Sequence, residues 1–339
     1  MVRYLLNNEK AITRPIWERI FEEDSKDFLD YYYNYKNEDN KILCKFVDDN
    51  ISSMLHLNPY KIYINNKEYL SYYIVAVATL PEYRKKGYMA ELLHKSLNDM
   101  YKENVPFTFL RPAKKEIYLP FDFEYIYNHN FLEINNSNFE EIELTEKDYT
   151  QIADFTNNFL EKRYKTFCKR DFNYIKVLHQ EVKSENGNII MLFNNNKLIG
   201  YYVYWGVNEK IIRAIFLDNA YTNIKNIKPL VMARIINLYE FFKNFSLKDK
   251  NDNICMYFNI VDNIIKENNG IFKLTVYDNK SKIEKTSHRN ENILNINIQD
   301  LLSVFFGYKD ISLFTKNDYI LKNFHKINLL DKVFIDEEV

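Results

Sequence analysis

The chain has 339 residues, of which 46% are hydrophobic and 27% are charged. This balance excludes wholesale disorder, and the length is too great for one compact core. Its 46 Lys and Arg residues against 47 Asp and Glu residues give a net charge of -1, so no global positive field attracts nucleic acid or an anionic membrane. The three widely spaced cysteines and the lack of a long apolar run argue against a disulfide scaffold, a signal peptide and a membrane-spanning helix. A multidomain, cytoplasmic protein is therefore expected.

The first seventy residues predict two helices followed by paired strands. Apolar spacing favours short helices over 12–21 and 27–35. Two hairpins are expected next, over 43–57 and 61–70, because β-forming runs flank polar turns there.

A strand–helix–strand unit follows the hairpins. The β-forming and small residues of 72–79 are typical of a strand buried on both faces. One apolar stripe predicts a helix over about 87–103, and 105–110 is the next predicted strand. The stripe consists of Met89, Leu92, Leu93, Leu97 and Met100. This order predicts a βαβ unit, in which parallel strands are joined by a right-handed crossover.

The middle third predicts helices, then an antiparallel meander, then a helix. The helices are expected over 148–164 and 172–182, and the three strands of the meander over 188–217. A further helix is expected over 231–245. Because the order partly repeats that of the first third, a degenerate duplication is possible, and the polar stretch 246–253 is the best linker candidate.

The last third predicts strands followed by helices. Strands are expected over 255–260 and 272–277, with a hairpin within 281–295. Helices are expected over 298–305 and 318–328.

The segment with the clearest chemistry lies between the predicted buried strand and the 87–103 helix. The chain holds only 6 glycines, where average usage would give roughly 24, and Gly87 stands where this helix opens, just after Arg84, Lys85 and Lys86. A helix N-terminus presents unpaired N–H groups and positive potential, and a glycine lets the backbone approach an oxyanion closely. The segment therefore predicts an anion cradle suited to a pyrophosphate. The alternative is a solvated basic turn that caps a surface helix; Walker and dinucleotide fingerprints are missing.

This segment resembles the acetyl-CoA-binding motif of GNAT acetyltransferases, R-x-x-G-x-G/A after a strand, with Met89 in the last position as in the Eis branch of that superfamily. Residues 113–123 resemble the branch's I-Y-x-x-F-G-F/Y element, in which Asp122 replaces the usual Gly. Residues 258–262 are similar to the "R-I-V-D" strand of the sterol-carrier-like domain of Eis proteins, with Asn in place of Arg. Residues 301–308 resemble that domain's L-x-x-x-x-x-G-Y element, which accounts for a second glycine.

The resemblance implies an α/β (α+β) fold class. Tandem GNAT-type mixed sheets flanked by helices would be followed by a sterol-carrier-like α+β domain. The implied domains are a catalytic GNAT domain at 1–137, a degenerate GNAT-like domain at 138–250 and the sterol-carrier-like domain at 251–339. The last of these is a statement about fold and does not imply lipid binding. The family often assembles as hexamers, so a homo-oligomer is expected.

The resemblance also implies an acetyl-CoA-dependent N-acetyltransferase. Such an enzyme moves an acetyl group directly from the thioester to a primary amine, here of a small molecule or peptide such as an aminoglycoside, a polyamine or a lysine side chain. Backbone N–H groups of 77–79 would hold the pantetheine, the basic turn would hold the pyrophosphate, and 113–114 would touch the thioester end. The residues expected to bind acetyl-CoA are Val77, Ala78, Thr79, Arg84, Lys85, Lys86, Gly87, Tyr88, Met89, Ala90, Ala113 and Lys114.

Two groups are implied as catalytic. Tyr118 matches the family's general acid; a Tyr with an ordinary pKa of about 10 stays protonated at neutral pH and can donate to the departing sulfur. In Eis proteins the base is the chain's own C-terminal carboxylate, which here belongs to Val339. Asp24 and Glu338 are candidates for extra negative charge near the amine. Packing for the tyrosine, a frayed C-terminus and solvated surface acids are the alternatives.

Departures from the family pattern keep a second hypothesis open. Met89, Asp122, Asn259 and the non-aromatic terminus are compatible with a non-catalytic acyl-CoA-binding or interaction protein, and a lipid carrier is a third idea. No His or Cys spacing matches a metal site. No metal, nucleic acid or membrane partner is therefore expected.

Overall fold

The structure is a computed structural model that describes residues 1–135, 138–206, 208–277, 280–288 and 290–338. None of the helices within these ranges is long and apolar enough to cross a bilayer.

The first region alternates helices with long paired strands, and a π-helical turn follows its second helix. The elements are β1 Val2–Tyr4, α1 Arg14–Ile20, α2 Lys26–Tyr31, β2 Lys41–Val47, β3 Asn50–Ile64, β4 Lys67–Thr79, α3 Tyr88–Lys102, β5 Phe107–Leu110, β6 Glu124–Tyr125 and β7 Asn128–Ile134.

The middle region carries two helices before its main run of strands. Its elements are β8 Glu140–Glu143, α4 Tyr149–Glu161, β9 Thr166–Cys168, α5 Phe172–Ser184, β10 Asn188–Asn194, β11 Lys197–Trp205, β12 Ile211–Phe216, β13 Thr222–Pro229, β14 Met232–Ile235, α6 Leu238–Phe242 and β15 Ser246–Leu247.

The last region is a small sheet with two helices and a C-terminal strand. Its elements are β16 Asn253–Val261, β17 Gly270–Tyr277, β18 Lys280–Lys285, β19 Ile293–Asn297, α7 Ile298–Phe305, α8 Asp318–Phe324, β20 Ile327–Asn328 and β21 Val333–Phe334.

One mixed sheet connects all three regions. Its main path runs β1-β2-β3-β4-β5-β14-β6, while β9 pairs with both β3 and β21. Strands β4 and β5 are parallel and are joined through α3, so the predicted βαβ unit is confirmed. Because β9 and β14 come from the middle of the chain and β21 from its end, the first region is completed by distant segments.

The main sheets of the middle and last regions follow the predicted order of strands, except that one predicted strand pairing in the last region is different. The meander is confirmed as β10, β11 and β12, with β8 added to give the order β12-β11-β10-β8. The hairpin expected within 281–295 is wrong, because β18 pairs with β17 whereas β19 pairs in parallel with β16. Alternating buried residues such as Leu294 and Ile296 identify a half-buried strand, but alternation does not specify its neighbour.

The single helix expected over 231–245 is also wrong. Its first half is β14, which pairs with β5 and β6. Residues 231–236 are fully buried, and a short run buried on every side is as typical of a central strand as of a helix. Asn237 then begins α6, since its side chain accepts hydrogen bonds from the N–H groups of Tyr239 and Glu240.

Candidate active site

A cleft opens between the parallel strands β4 and β5. The two strands pair at one register position, Tyr73 with Phe109, and their rings stack with centroids 5.5 Å apart. After Tyr73, strand β4 contains a β-bulge, in which Ala76 and Val77 stand opposite a single residue of β3. Ala76 adopts a φ of 51° in this bulge. Within the described chain, β5 does not pair with β4 beyond Tyr73. The edge of β4 that faces β5 is therefore unpaired by β5 over 74–79 and can offer backbone groups to a ligand.

The predicted anion cradle lies at the end of β4 and is open. Lys85 and Gly87 have φ values of 62° and 79°, and no side chain caps α3. The first intrahelical bond runs from the N–H of Glu91 to the Gly87 carbonyl at 3.0 Å, so the N–H groups of residues 88–90 have no intrahelical partner. A Cβ added to Gly87 would meet no heavy atom within 4 Å.

The basic residues of the turn are exposed around the cradle. The Nε of Arg84 donates to the Thr79 carbonyl at 3.2 Å, which ties the turn to the end of β4. The Nζ of Lys86 lies 5.0 Å from the centroid of the Tyr83 ring. Exposed cations beside free N–H groups and a helix N-terminus form a binding site for a polyanion.

Substituting Gly87 by Ala is expected to strain the cradle without a clash. The positive φ costs an L-residue about 1–2 kcal/mol, which is expected either as a lower free energy of unfolding or as weaker CoA binding when the turn relaxes. Gly87→Asn is the matched control, because Asn tolerates this backbone conformation better. Urea unfolding and calorimetry with CoA measure both effects; an Ala variant equal to the wild type in both would contradict the conformational role.

The opposite side of the cleft carries the tyrosine that sequence analysis singled out. Strand β5 leads to Ala113 and Lys114, which are exposed, and Tyr118 follows between two short 3-10 turns. The Tyr118 ring is half-buried and packs edge-on against Phe123, with centroids 6.0 Å apart. Burial raises the pKa of Tyr118 to about 12, so its phenol is protonated at neutral pH and can donate a proton.

A buried arginine of β14 holds the loop that carries Tyr118. The Arg234 side chain donates to the Phe121 carbonyl at 2.9 Å and to the carboxylate of Asp262 at 2.7 Å, and its Nη2 is 3.4 Å from Asp122. Asp122 itself has a φ of 61°, which explains why a glycine suits this position of the element. The loop is thereby fastened to both the central sheet and the last region.

The C-terminal segment returns to the first region rather than fraying. Strand β21 pairs with β9, and the carbonyl of Ile335 accepts a hydrogen bond from the Tyr127 hydroxyl. Asp336 forms a buried ion pair with Arg170. These contacts deliver the chain end toward the cleft.

Glu338 lies beside Tyr73, at the point where β4 and β5 separate. Its backbone carbonyl accepts a hydrogen bond from the Tyr73 hydroxyl at 2.8 Å, and its carboxylate is 2.6 Å from Arg111 and 3.6 Å from Arg213. Burial raises the pKa of Tyr73. Arg111 acts to lower this pKa, whereas Glu338 and Tyr118 act to raise it. Tyr73 thus contacts the penultimate residue directly, and the predicted acid Tyr118 acts on it electrostatically. Val339 lies outside the described residues.

A cavity of about 320 Å³ lies next to the chain end, between the first and middle regions. Arg213 and Glu181 lie in its wall as a buried ion pair, and Arg213 also faces Glu338. Tyr60, another wall residue, packs its ring against Phe109 at 6.1 Å. The Phe109 ring thus contacts both Tyr60, in the cavity wall, and Tyr73, at the cleft.

Two other features of the described chain share no lining residue with this cavity. Asp24, the first of them, accepts a hydrogen bond from the Trp17 indole at 2.6 Å. A larger groove of about 530 Å³, lined by Tyr4, Lys10 and Glu103 among others, lies at the C-terminal end of α3, roughly 20 Å along the helix from the cradle.

The structure brings together most of the residues singled out from sequence. The β4 end continues into the basic turn, β5 continues into 113–114 and Tyr118, and Glu338 contacts Tyr73 from the other end of the chain. Sequence analysis missed Tyr73, Arg111 and Arg213, whose contacts with Glu338 span more than a hundred residues. Within the described residues no group of three or more His, Cys, Asp and Glu side chains could hold a metal ion.

Two family models match separate parts of the chain. Residues 2–126 match an acetyltransferase (GNAT) domain, and residues 234–339 match a sterol carrier protein domain. A comparison with curated proteins finds no match.

Solved structures resemble the chain over its whole length. A probable N-acyltransferase from Enterococcus faecalis is 16% identical with a TM-score of 0.82, and the match covers 100% of this chain and 99% of the other. A GCN5-related N-acetyltransferase from Anabaena variabilis is 16% identical with a TM-score of 0.80, and Eis1 from Mycobacterium abscessus is 10% identical with a TM-score of 0.75; both matches cover 100% of each chain. At these identities the structures establish the fold, while the activity class rests on the domain match. The predicted combination of a GNAT domain with a C-terminal sterol-carrier-like domain is confirmed.

Proposed function

We propose that this chain, a GNAT N-acetyltransferase with a C-terminal sterol carrier protein domain, transfers the acetyl group of acetyl-CoA to a primary amine of a small molecule or peptide. The observation that carries the proposal is the open cradle at 84–90 on the same cleft as the protonated Tyr118. The cradle suits a pyrophosphate, and the unpaired edge of β4 suits the amides of a pantetheine arm.

The proposed transfer needs a proton donor, a proton acceptor and polarisation of the thioester carbonyl. Backbone N–H groups at the β4 bulge, in the part of β4 that β5 leaves unpaired, would polarise the carbonyl. Tyr118 would protonate the departing thiolate. The C-terminal carboxylate of Val339 would take the proton of the attacking amine; the docking of 333–338 and the position of Glu338 support this role.

We further propose a partition into a catalytic domain at 1–137, a GNAT-like domain at 138–250 and a sterol-carrier-like domain at 251–339. The chain would work in the cytoplasm as a homo-oligomer. Three free cysteines, of which Cys44 and Cys168 are buried, are compatible with a reducing compartment.

The test is a thiol-release assay with acetyl-CoA and a panel of amines that includes polyamines, aminoglycosides and lysine peptides, combined with calorimetry using CoA. We expect CoA to bind and at least one amine to be acetylated at a rate well above hydrolysis. Binding of CoA without transfer to any amine would favour the non-catalytic acyl-CoA-binding protein. Failure to bind CoA would contradict both.

A further inference from the structure

The cavity beside the chain end contains one cation, Lys36, that no Asp or Glu side chain in the described ranges contacts. The Nζ of Lys36 donates to the Tyr60 hydroxyl at 2.6 Å and lies 4.4 Å from the centroid of that ring. Across the described chain no Asp or Glu oxygen lies within 4.0 Å of this Nζ. Burial lowers the pKa of Lys36 to about 8 despite the attraction of Glu181 and Glu337, because desolvation disfavours the charged form of an ammonium group.

The two carboxylates that act on Lys36 from a distance are engaged elsewhere. Glu181 pairs with Arg213, and the Glu337 Oε1 accepts a hydrogen bond from the Tyr174 hydroxyl at 2.9 Å. Glu181 could not approach Lys36 without losing Arg213. Glu337 is held through one oxygen, and its Oε2 has no hydrogen-bond partner among the described residues.

The other charged residues that line the cavity are paired with other side chains or exposed, and they do not neutralise Lys36. Lys61 and Asp171 pair with each other at 3.1 Å, Lys169 faces Glu68 at 3.4 Å, and Asp39 is exposed at the rim. A half-buried cation that no carboxylate side chain contacts loses part of its hydration, and a bound anion would offset that loss.

We infer that this cavity binds the acceptor and that the acceptor is a primary amine carrying an anionic group, a carboxylate or a phosphate, which pairs with Lys36. This inference rests on the proposed function. The anionic group would enter the cavity, while the amine would point past Arg213 toward the chain end and the cleft. A polycation such as a polyamine or an aminoglycoside would instead bring further positive charge to Lys36 and Arg213.

The experiment compares amines in matched pairs that differ by the anionic group. The pairs are L-lysine with cadaverine, a lysine-containing peptide with its C-terminal amide, and phosphoethanolamine with ethanolamine. In the wild type we expect kcat/KM to be roughly 10-fold or more higher for the anionic member of a pair, the scale of a hydrogen bond to a charged group. The first two pairs test a carboxylate and the third tests a phosphate.

Substitution of the lysine provides the decisive comparison. In Lys36→Met we expect the ratio of kcat/KM values within the preferred pair to fall to about 1, and Lys36→Gln serves as a second variant should Met disturb packing. Lys26→Met is the matched control, because Lys26 is an exposed lysine of the preceding helix α2, and it should keep the wild-type ratio. Circular dichroism confirms that each variant is folded.

Each outcome decides the inference. Preference for the uncharged or cationic member of every pair, an unchanged ratio in both Lys36 variants, or acetylation of other amines but of no pair member would overturn it while leaving the acetyltransferase intact. Absence of transfer to every amine, those of the wider panel included, would instead overturn the proposed function on which the inference rests.

Discussion

Replacing Tyr118 by phenylalanine is expected to lower kcat by roughly 100-fold or more, the usual effect of removing a general acid. The variant keeps the ring that packs against Phe123 and removes the one proton that the phenol can give to the thiolate. Because burial alone raises the pKa of Tyr118 to about 12, the phenol stays protonated over the accessible pH range. The wild-type rate should therefore show no loss through ionisation of Tyr118 below about pH 11.

The measurement separates chemistry from binding. Single-turnover rates and calorimetry with CoA are compared for Tyr118→Phe and for Tyr125→Phe, a control that removes a hydroxyl from a half-buried tyrosine further along the same segment. We expect both variants to bind CoA as the wild type does and the control to keep its rate. An unchanged rate in Tyr118→Phe would remove this residue from the mechanism.

The parts of the site that sequence analysis found are those built locally. The cradle needs a strand end, a basic turn, a glycine and a helix within about fifteen residues, and each has its own local signal. Tyr118 follows after a single further strand. Such features depend on backbone conformation over short stretches, which the amino-acid types largely determine.

The parts that were missed are assembled across the chain. Strand β14 completes the first sheet between β5 and β6, although it lies more than a hundred residues away, and its apolar run does not specify a partner. Arg234 joins the Tyr118 loop to Asp262, and Tyr73 meets Glu338. A sequence with 28 tyrosines gives no local indication of which phenol will receive the chain end.

Because residues 333–338 are held by contacts with the rest of the chain, residues added after Val339 are expected to have a large effect on transfer. An extension of three residues, Gly-Ser-Gly, is expected to lower kcat/KM by roughly 100-fold or more, as for loss of a general base. It displaces the α-carboxylate by about 10 Å of chain, while Glu338 is already fixed by Tyr73, Arg111 and Arg213. The added peptide would also have to occupy the cleft or pull the segment out of it.

A matched pair of variants separates the position of the charge from disturbance of the fold. The same Gly-Ser-Gly added before Met1, whose amino group is exposed on the outermost strand of the sheet path, three strands from β4, should leave kcat/KM within about twofold. Removing Val339 alone moves the terminal carboxylate back by one residue, about 3.5 Å, and should also slow transfer without lowering the melting temperature. Full activity in the C-terminally extended chain would show that another group takes the proton. If only the extension were slow and the shortened chain kept its rate, the added residues would be acting by blocking the cleft, and the α-carboxylate would lose its role as base.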